Sequence, residues 1–214
     1  MSEYNSYPIN WNRVSSQYKA KNDRISSMRN IVMHGIIKSH ADYSMERRSF
    51  WCKKLKNVKL GCALADRLTD VYDERNAIEV YNFIESLFLI NGFSEEEALD
   101  YINNNASLLL LNKNRIVQIL SVLRVGNLDN DVLFSMPSLF FEKISLSKLY
   151  NVAGKYAGSD DLDKFSVELK SEEEVDTISS VKIGRLINEY MSDYKNKKDT
   201  LKDTLKENMR LEKL

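Results

Sequence analysis

Residues Gly92-Phe93-Ser94-Glu95-Glu96-Glu97-Ala98-Leu99-Asp100-Tyr101 carry the most informative local signal in the chain. Gly92 follows Ile78, Tyr81, Ile84, Leu87 and Phe88, whose spacing places them on one face of a helix that Asp73 or Asn76 can open. A glycine just beyond such a run suits the left-handed position that closes a helix. Ser94 with Glu97 forms a capping box, and three consecutive acids complement the dipole of the helix they begin. One helix therefore ends and another starts within three residues. The second is expected to reach Asn103–Asn105, followed by the apolar run Leu108–Leu111.

The same grammar extends in both directions. Downstream, a helix from Asn112 carries Ile116, Val117, Leu120 and Leu123 and stops at Gly126. Asp129 can cap a short helix ending before Pro137, and Ser145 or Ser147 opens one through Leu149 and Val152. Upstream, Asp23 can cap a helix with Ile25, Met28, Val32 and Ile36 on one face. Ser44 can start another with Trp51, Leu55 and Val58, which Gly61 is expected to break before Leu64, Leu68, Val71 and Tyr72 continue in a third. Residues 158–174 read as an acidic linker in which Phe165, Val167 and Leu169 alternate like one short strand. A second capping box, Ser171 with Glu174, opens a long C-terminal helix over 175–214. Its apolar stripe thins after Tyr194 to Leu201, Leu205 and Met209. The fold class is all-α: stacked, repeat-like helical hairpins over 1–157 with a basic N-terminal part, the linker, and the long helix.

Composition agrees. The chain has 214 residues, 43% hydrophobic and 29% charged, with only two prolines and seven glycines. That disfavours a loop-rich all-β fold or a disordered chain. No apolar run reaches the roughly eighteen residues of a membrane span, and the N-terminus lacks the apolar core of a signal peptide. The expected location is cytoplasmic. Cys52 and Cys62 cannot build a disulfide framework and sit on apolar helical stripes, where cysteine usually serves as a small hydrophobe.

Charge is segregated although the formal net charge is zero. Residues 1–60 hold twelve Lys/Arg against four Asp/Glu, residues 61–150 seven against thirteen, residues 151–180 three against eight, and residues 181–214 nine against six. The basic segment either packs on the acidic middle or faces an anionic partner. Its candidate nucleic-acid-binding residues are Lys19, Lys21, Arg24, Arg29, Arg47, Arg48, Lys53, Lys54, Lys56 and Lys59, interleaved with Phe50 and Trp51. Such cations neutralise phosphates and release counterions without choosing a sequence. Trp51 fits an apolar stripe and is expected in the core rather than stacked on a base.

Catalytic signatures are lacking. There is no Gly-rich phosphate loop, and His34 and His40, with Cys52 and Cys62, match no zinc spacing. The acid pairs Asp129/Asp131 and Asp160/Asp161 lack a calcium-loop context. No enzyme activity, cofactor or metal is expected. Two functions stand: a nucleic-acid-binding regulator of DNA or RNA, and a protein-interaction module, accessory or inhibitory, docking on a larger machine. Self-association into a homodimer through the C-terminal helix belongs with the second, and a membrane partner with neither.

Four glycines recur at 61, 92, 126 and 158, and Ala106-Ser107-Leu108-Leu109-Leu110 is echoed 31 residues later by Pro137-Ser138-Leu139-Phe140-Phe141. With Gly92-Phe93-Ser94-Glu95 ahead of Ser107-Leu108-Leu109, and Gly126 ahead of Pro137-Ser138-Leu139, residues 76–152 resemble the repeats of the mitochondrial transcription termination factor family. Ala106 stands where those repeats usually have proline. The resemblance implies a curved α-solenoid whose concave basic face holds nucleic acid. In this acidic stretch the useful cations are Lys113, Arg115, Arg124, Lys143 and Lys148.

Overall fold

A computed structural model describes residues 43–68, 70–157, 161–171 and 176–211, with side-chain surroundings to residue 207. The chain divides into two units, Met1–Phe50 and Trp51–Leu214. Of the first, the described residues 43–50 are helical. The helix expected after Asp23 lies outside the described residues. The all-α fold is confirmed, and the described residues contain no strand.

Helix α1 covers residues 43–54. After it come α2 (Val58–Arg67), α3 (Val71–Ile90), α4 (Glu95–Asn104), α5 (Lys113–Leu123), α6 (Asp129–Ser135), α7 (Leu146–Lys155), α8 (Leu162–Lys170) and α9 (Ser180–Leu211). Two helices organise the larger unit. In α3, Ala77, Val80, Ile84, Leu87 and Phe88 line one buried face and Phe83 widens it. Helix α5 is buried almost all round, through Ile116, Val117, Ile119, Leu120, Val122 and Leu123. A helix apolar on every side is one enclosed by neighbours, and α5 packs against α3, α6, α7 and α9. Its buried Ser121 hydroxyl donates to the Val117 carbonyl at 2.6 Å, which satisfies the polar group within the helix.

The Gly92–Tyr101 reading holds in detail. Gly92 has φ +86°, left-handed as the helix end requires. The Ser94 hydroxyl accepts from the Glu97 N–H at 3.2 Å, and Glu97 Oε2 accepts from the Ser94 N–H at 2.8 Å. The bonds that the Glu97 carboxyl accepts from the Ser94 N–H and, at 2.9 Å, from the Ser94 hydroxyl hold it below its ordinary pKa, the backbone bond being the larger cause. Phe93 packs between Phe88 and Phe134, with centroids 5.2 and 5.1 Å away. The two echoing pentapeptides form the same structure, five-residue 3-10 turns over Ala106–Leu110 and Pro137–Phe141. In each, the third and fourth residues are buried and the fifth is exposed. Each turn is followed by an N-cap whose side chain accepts from the backbone, Asn112 before α5 and Ser145 before α7.

Elsewhere the structure corrects the sequence reading. Gly61 lies inside α2 and does not break it; the break falls earlier, at Lys56, whose φ of 50° is left-handed, with Asn57 capping α2. A Cβ at Gly61 would lie 2.5 Å from the Cys52 backbone, so this glycine lets α2 touch the end of α1. Gly126 plays a similar part against the Ala153 carbonyl, 2.3 Å from an added Cβ, while the left-handed residue there is Asn127. Helix α3 opens at Asp70, ahead of the expected Asp73 or Asn76. Among these recurring glycines Gly92 closes a helix, Gly61 and Gly126 permit close backbone approach, and Gly158 lies outside the described residues.

The expected linker contains α8. Phe165 and Leu169, four residues apart, share a helical face and enter the core at 0% and 3% exposure, while Val167 points outward. Burying one such side chain contributes about 1.5–3 kcal/mol, enough to override a polar, acidic context. Glu174 of the expected second capping box lies outside the described residues. Helix α9 starts at Ser180, later than position 175, and Ser179 caps it by accepting from the Lys182 N–H at 3.3 Å.

Candidate nucleic-acid interface

The residues joining α1 to α2 carry the densest described set of predicted phosphate-binding cations. Trp51 and Leu55, both fully buried, hold the end of α1 in place. The Asn103 amide reinforces it, donating to the Leu55 carbonyl at 3.1 Å. Trp51 is core, as its stripe predicts. On this fixed base Lys53, Lys56 and Lys59 are exposed, and no ion pair joins them to another described residue. Lys59 lies in the first turn of α2, which contains no acid.

Not every predicted cation is on an open face. Arg47 is buried at 9% exposure, its guanidinium 4.4 Å from the Tyr43 ring centroid. Arg48 is exposed. Lys54 folds over the Tyr81 ring at 4.0 Å and donates to Asn82 Oδ1 at 3.3 Å, which ties α1 to α3. A long cationic stem over an aromatic face is a stabilising contact in its own right. Lys19, Lys21, Arg24 and Arg29 lie outside the described residues.

The middle of the chain treats its cations differently. Lys113 pairs with Glu79 at 3.5 Å, Arg115 donates to the Ile144 carbonyl at 2.8 Å, Arg124 pairs with Asp193, and Lys148 donates to the Ser171 carbonyl. Of the five that the family resemblance would place on a basic face, these four hold elements of the fold together; Lys143 is exposed.

A concavity of about 700 Å³ lies along the seam between α5 and α9 and shares Arg124, Tyr190 and Asp193 with an adjoining polar recess. Sequence reading missed this group because Arg124 and Asp193 are 69 residues apart and neither belongs to a motif. Burial pushes the Asp129 carboxyl above its ordinary range, opposed by backbone N–H groups and by the charges of Arg124 and Lys197. Burial, and then the charge of Asp129, push the Tyr190 hydroxyl upward. Asn91 and Asn130 exchange amide hydrogen bonds at 3.3 and 3.0 Å beside them. The pairing of Arg124 with Asp193 makes this seam an anchor for α9.

The two cysteines depart from the filler role their stripes suggest. Both are partly exposed, and their sulfurs lie 3.6 Å apart across the α1–α2 crossing.

Among the described residues no helix is long and apolar enough to cross a membrane, and no three His, Cys, Asp or Glu side chains group as a metal site would require. Comparison with family models, with curated proteins and with solved structures returns no match.

Proposed function

We propose that this chain is a non-enzymatic nucleic-acid-binding regulatory protein that grips the phosphate backbone through the basic segment around Lys53, Lys56 and Lys59. The supporting observation is a contrast. Four of the five cations singled out in residues 76–152 are engaged within the fold, whereas these three lysines stand exposed, without an ion partner among the described residues, on a base held by Trp51 and Leu55. Lys59, in the first turn of α2, reinforces the positive end of that helix's dipole, an arrangement that suits phosphate and is otherwise unfavourable.

The test is a salt titration of binding to duplex DNA and to single-stranded RNA. Affinity should fall steeply with salt. Replacing Lys53, Lys56 and Lys59 together by alanine should reduce the log–log slope by about 2–3, close to one counterion per lost phosphate contact. Absence of binding to either nucleic acid at low salt overturns the reading, as does an unchanged slope in the triple variant.

A second reading, a protein-interaction module, draws support from the far half of α9. Up to Tyr194 the helix packs on the core through Leu186, Ile187, Tyr190, Met191 and Tyr194. Beyond it the turns are mostly exposed, and Leu205 stands 49% exposed. A partner helix along that thin stripe, from a second copy or another protein, would cover it. Sedimentation showing only monomer, together with failure to capture a protein partner, counts against this reading.

A further inference from the structure

We propose that Cys52 and Cys62 form a thiol-exchange site, a dithiol that low-molecular-weight disulfides convert reversibly into an intramolecular disulfide. The two sulfurs are 3.6 Å apart, at van der Waals contact, and both side chains are partly exposed. Bond formation needs an approach of ~1.5 Å, to the 2.03–2.05 Å of a disulfide. The proximity is set by the backbone. Gly61 brings α2 against the Cys52 main chain so closely that a Cβ would collide with it at 2.5 Å. The buried Trp51 and Leu55 on either side of Cys52 keep that end of α1 from sliding. The Cys52 thiol points along the crossing toward α2, donating to the Val58 carbonyl at 3.4 Å. Two cysteines acting as independent hydrophobic filler need neither exposure nor mutual contact.

The chemistry balances without a metal. One cysteine, as thiolate, attacks a sulfur of the small disulfide; the S–S bond breaks and one small thiol departs with the electron pair. The neighbouring cysteine then loses its proton and attacks the protein sulfur of the mixed disulfide, releasing the second small thiol. The protein dithiol is oxidised by two electrons and the small disulfide is reduced to two thiols. Excess small thiol reverses both steps. This chemistry is independent of phosphate binding. The closed loop nevertheless spans Lys53, Lys56 and Lys59.

The experiment uses the full chain, incubated with oxidised glutathione under native conditions, then denatured, alkylated and weighed. The expected product has lost two hydrogens, carries no alkyl group, and yields a peptide joining Cys52 to Cys62 that dithiothreitol separates. Cys52→Ser and Cys62→Ser should each stop at a single stable glutathione adduct. Wild-type protein that keeps two alkylatable thiols, accumulates two adducts, or crosslinks between chains overturns the proposal.

Discussion

Replacing Gly61 by alanine separates its two readings cleanly. A glycine within a helix ordinarily gives up about 0.8–1 kcal/mol relative to alanine, so alanine there should stabilise. At Gly61 the added Cβ would sit 2.5 Å from both the Cys52 Cα and N, and 2.7 Å from the Trp51 carbonyl carbon. Carbon atoms in contact prefer about 3.5–4.0 Å, so α1 and α2 must separate by roughly 1 Å. The obstacle is backbone, with no side chain that can rotate away, and the fully buried Trp51 and Leu55 would have to follow. Overpacking of this kind costs up to ~3 kcal/mol, from which the propensity gain of about 1 kcal/mol is subtracted. The net loss is about 2 kcal/mol, a fall in Tm of roughly 4–8 °C for a chain of this size. Gly184→Ala is the internal control: it lies within α9, and an added Cβ meets nothing within 4 Å. That variant should gain about 0.5–1 kcal/mol. Urea unfolding followed by far-ultraviolet circular dichroism measures both. A Gly61→Ala protein as stable as wild type, or more so, refutes the close crossing and returns Gly61 to the role of a helix terminator.

Further predictions concern the cap and the last core helix. Glu97→Gln should be less stable than wild type at pH 7, because the folded state holds the Glu97 carboxyl below its ordinary pKa through bonds from Ser94. That stabilisation is present above the unfolded carboxylate pKa of about 4.3. It is lost as pH falls through the lower folded value, so the two proteins should converge in acid; a difference that persists there refutes the assignment. Phe165→Ala should cost about 3–5 kcal/mol, since it empties a fully buried site. A silent substitution, read by thermal unfolding, would return residues 162–170 to a solvated linker.

Local grammar made much of the fold legible. The Gly92–Glu97 junction, the Asn112 and Ser145 caps and the apolar faces of α3 and α5 depend on residues within one or two turns of each other, and each forms as its pattern predicts. The reading failed where a local pattern was ambiguous and a distant contact chose. Phe165, Val167 and Leu169 fit a strand by alternation, while Phe165 and Leu169 alone fit a helix; the core selected the helix by burying those two. Glycine at 61 fits a helix end or a tight crossing equally well, and only the position of Cys52 distinguishes them.

The candidate interface divides the same way. Sequence shows that residues 1–60 are rich in Lys and Arg, but it cannot show which of those charges meet a partner inside the fold. Lys54 and Lys56 are two residues apart; one lies over Tyr81, the other stands exposed in the left-handed conformation. Arg124 and Asp193 meet across 69 residues, and Cys52 and Cys62 meet because two helices cross at a glycine. By itself the sequence determined the helical class, the helix junctions at Gly92–Ser94, Asn112 and Ser145 and the segregation of charge, because hydrogen bonding and amphipathic spacing act over a few residues. Tertiary structure alone decided which described cations stay exposed, that residues 162–170 of the expected linker form a helix with Phe165 and Leu169 in the core, and that two thiols are neighbours. Those outcomes depend on distances between segments far apart in the chain, and packing sets such distances where no local pattern does.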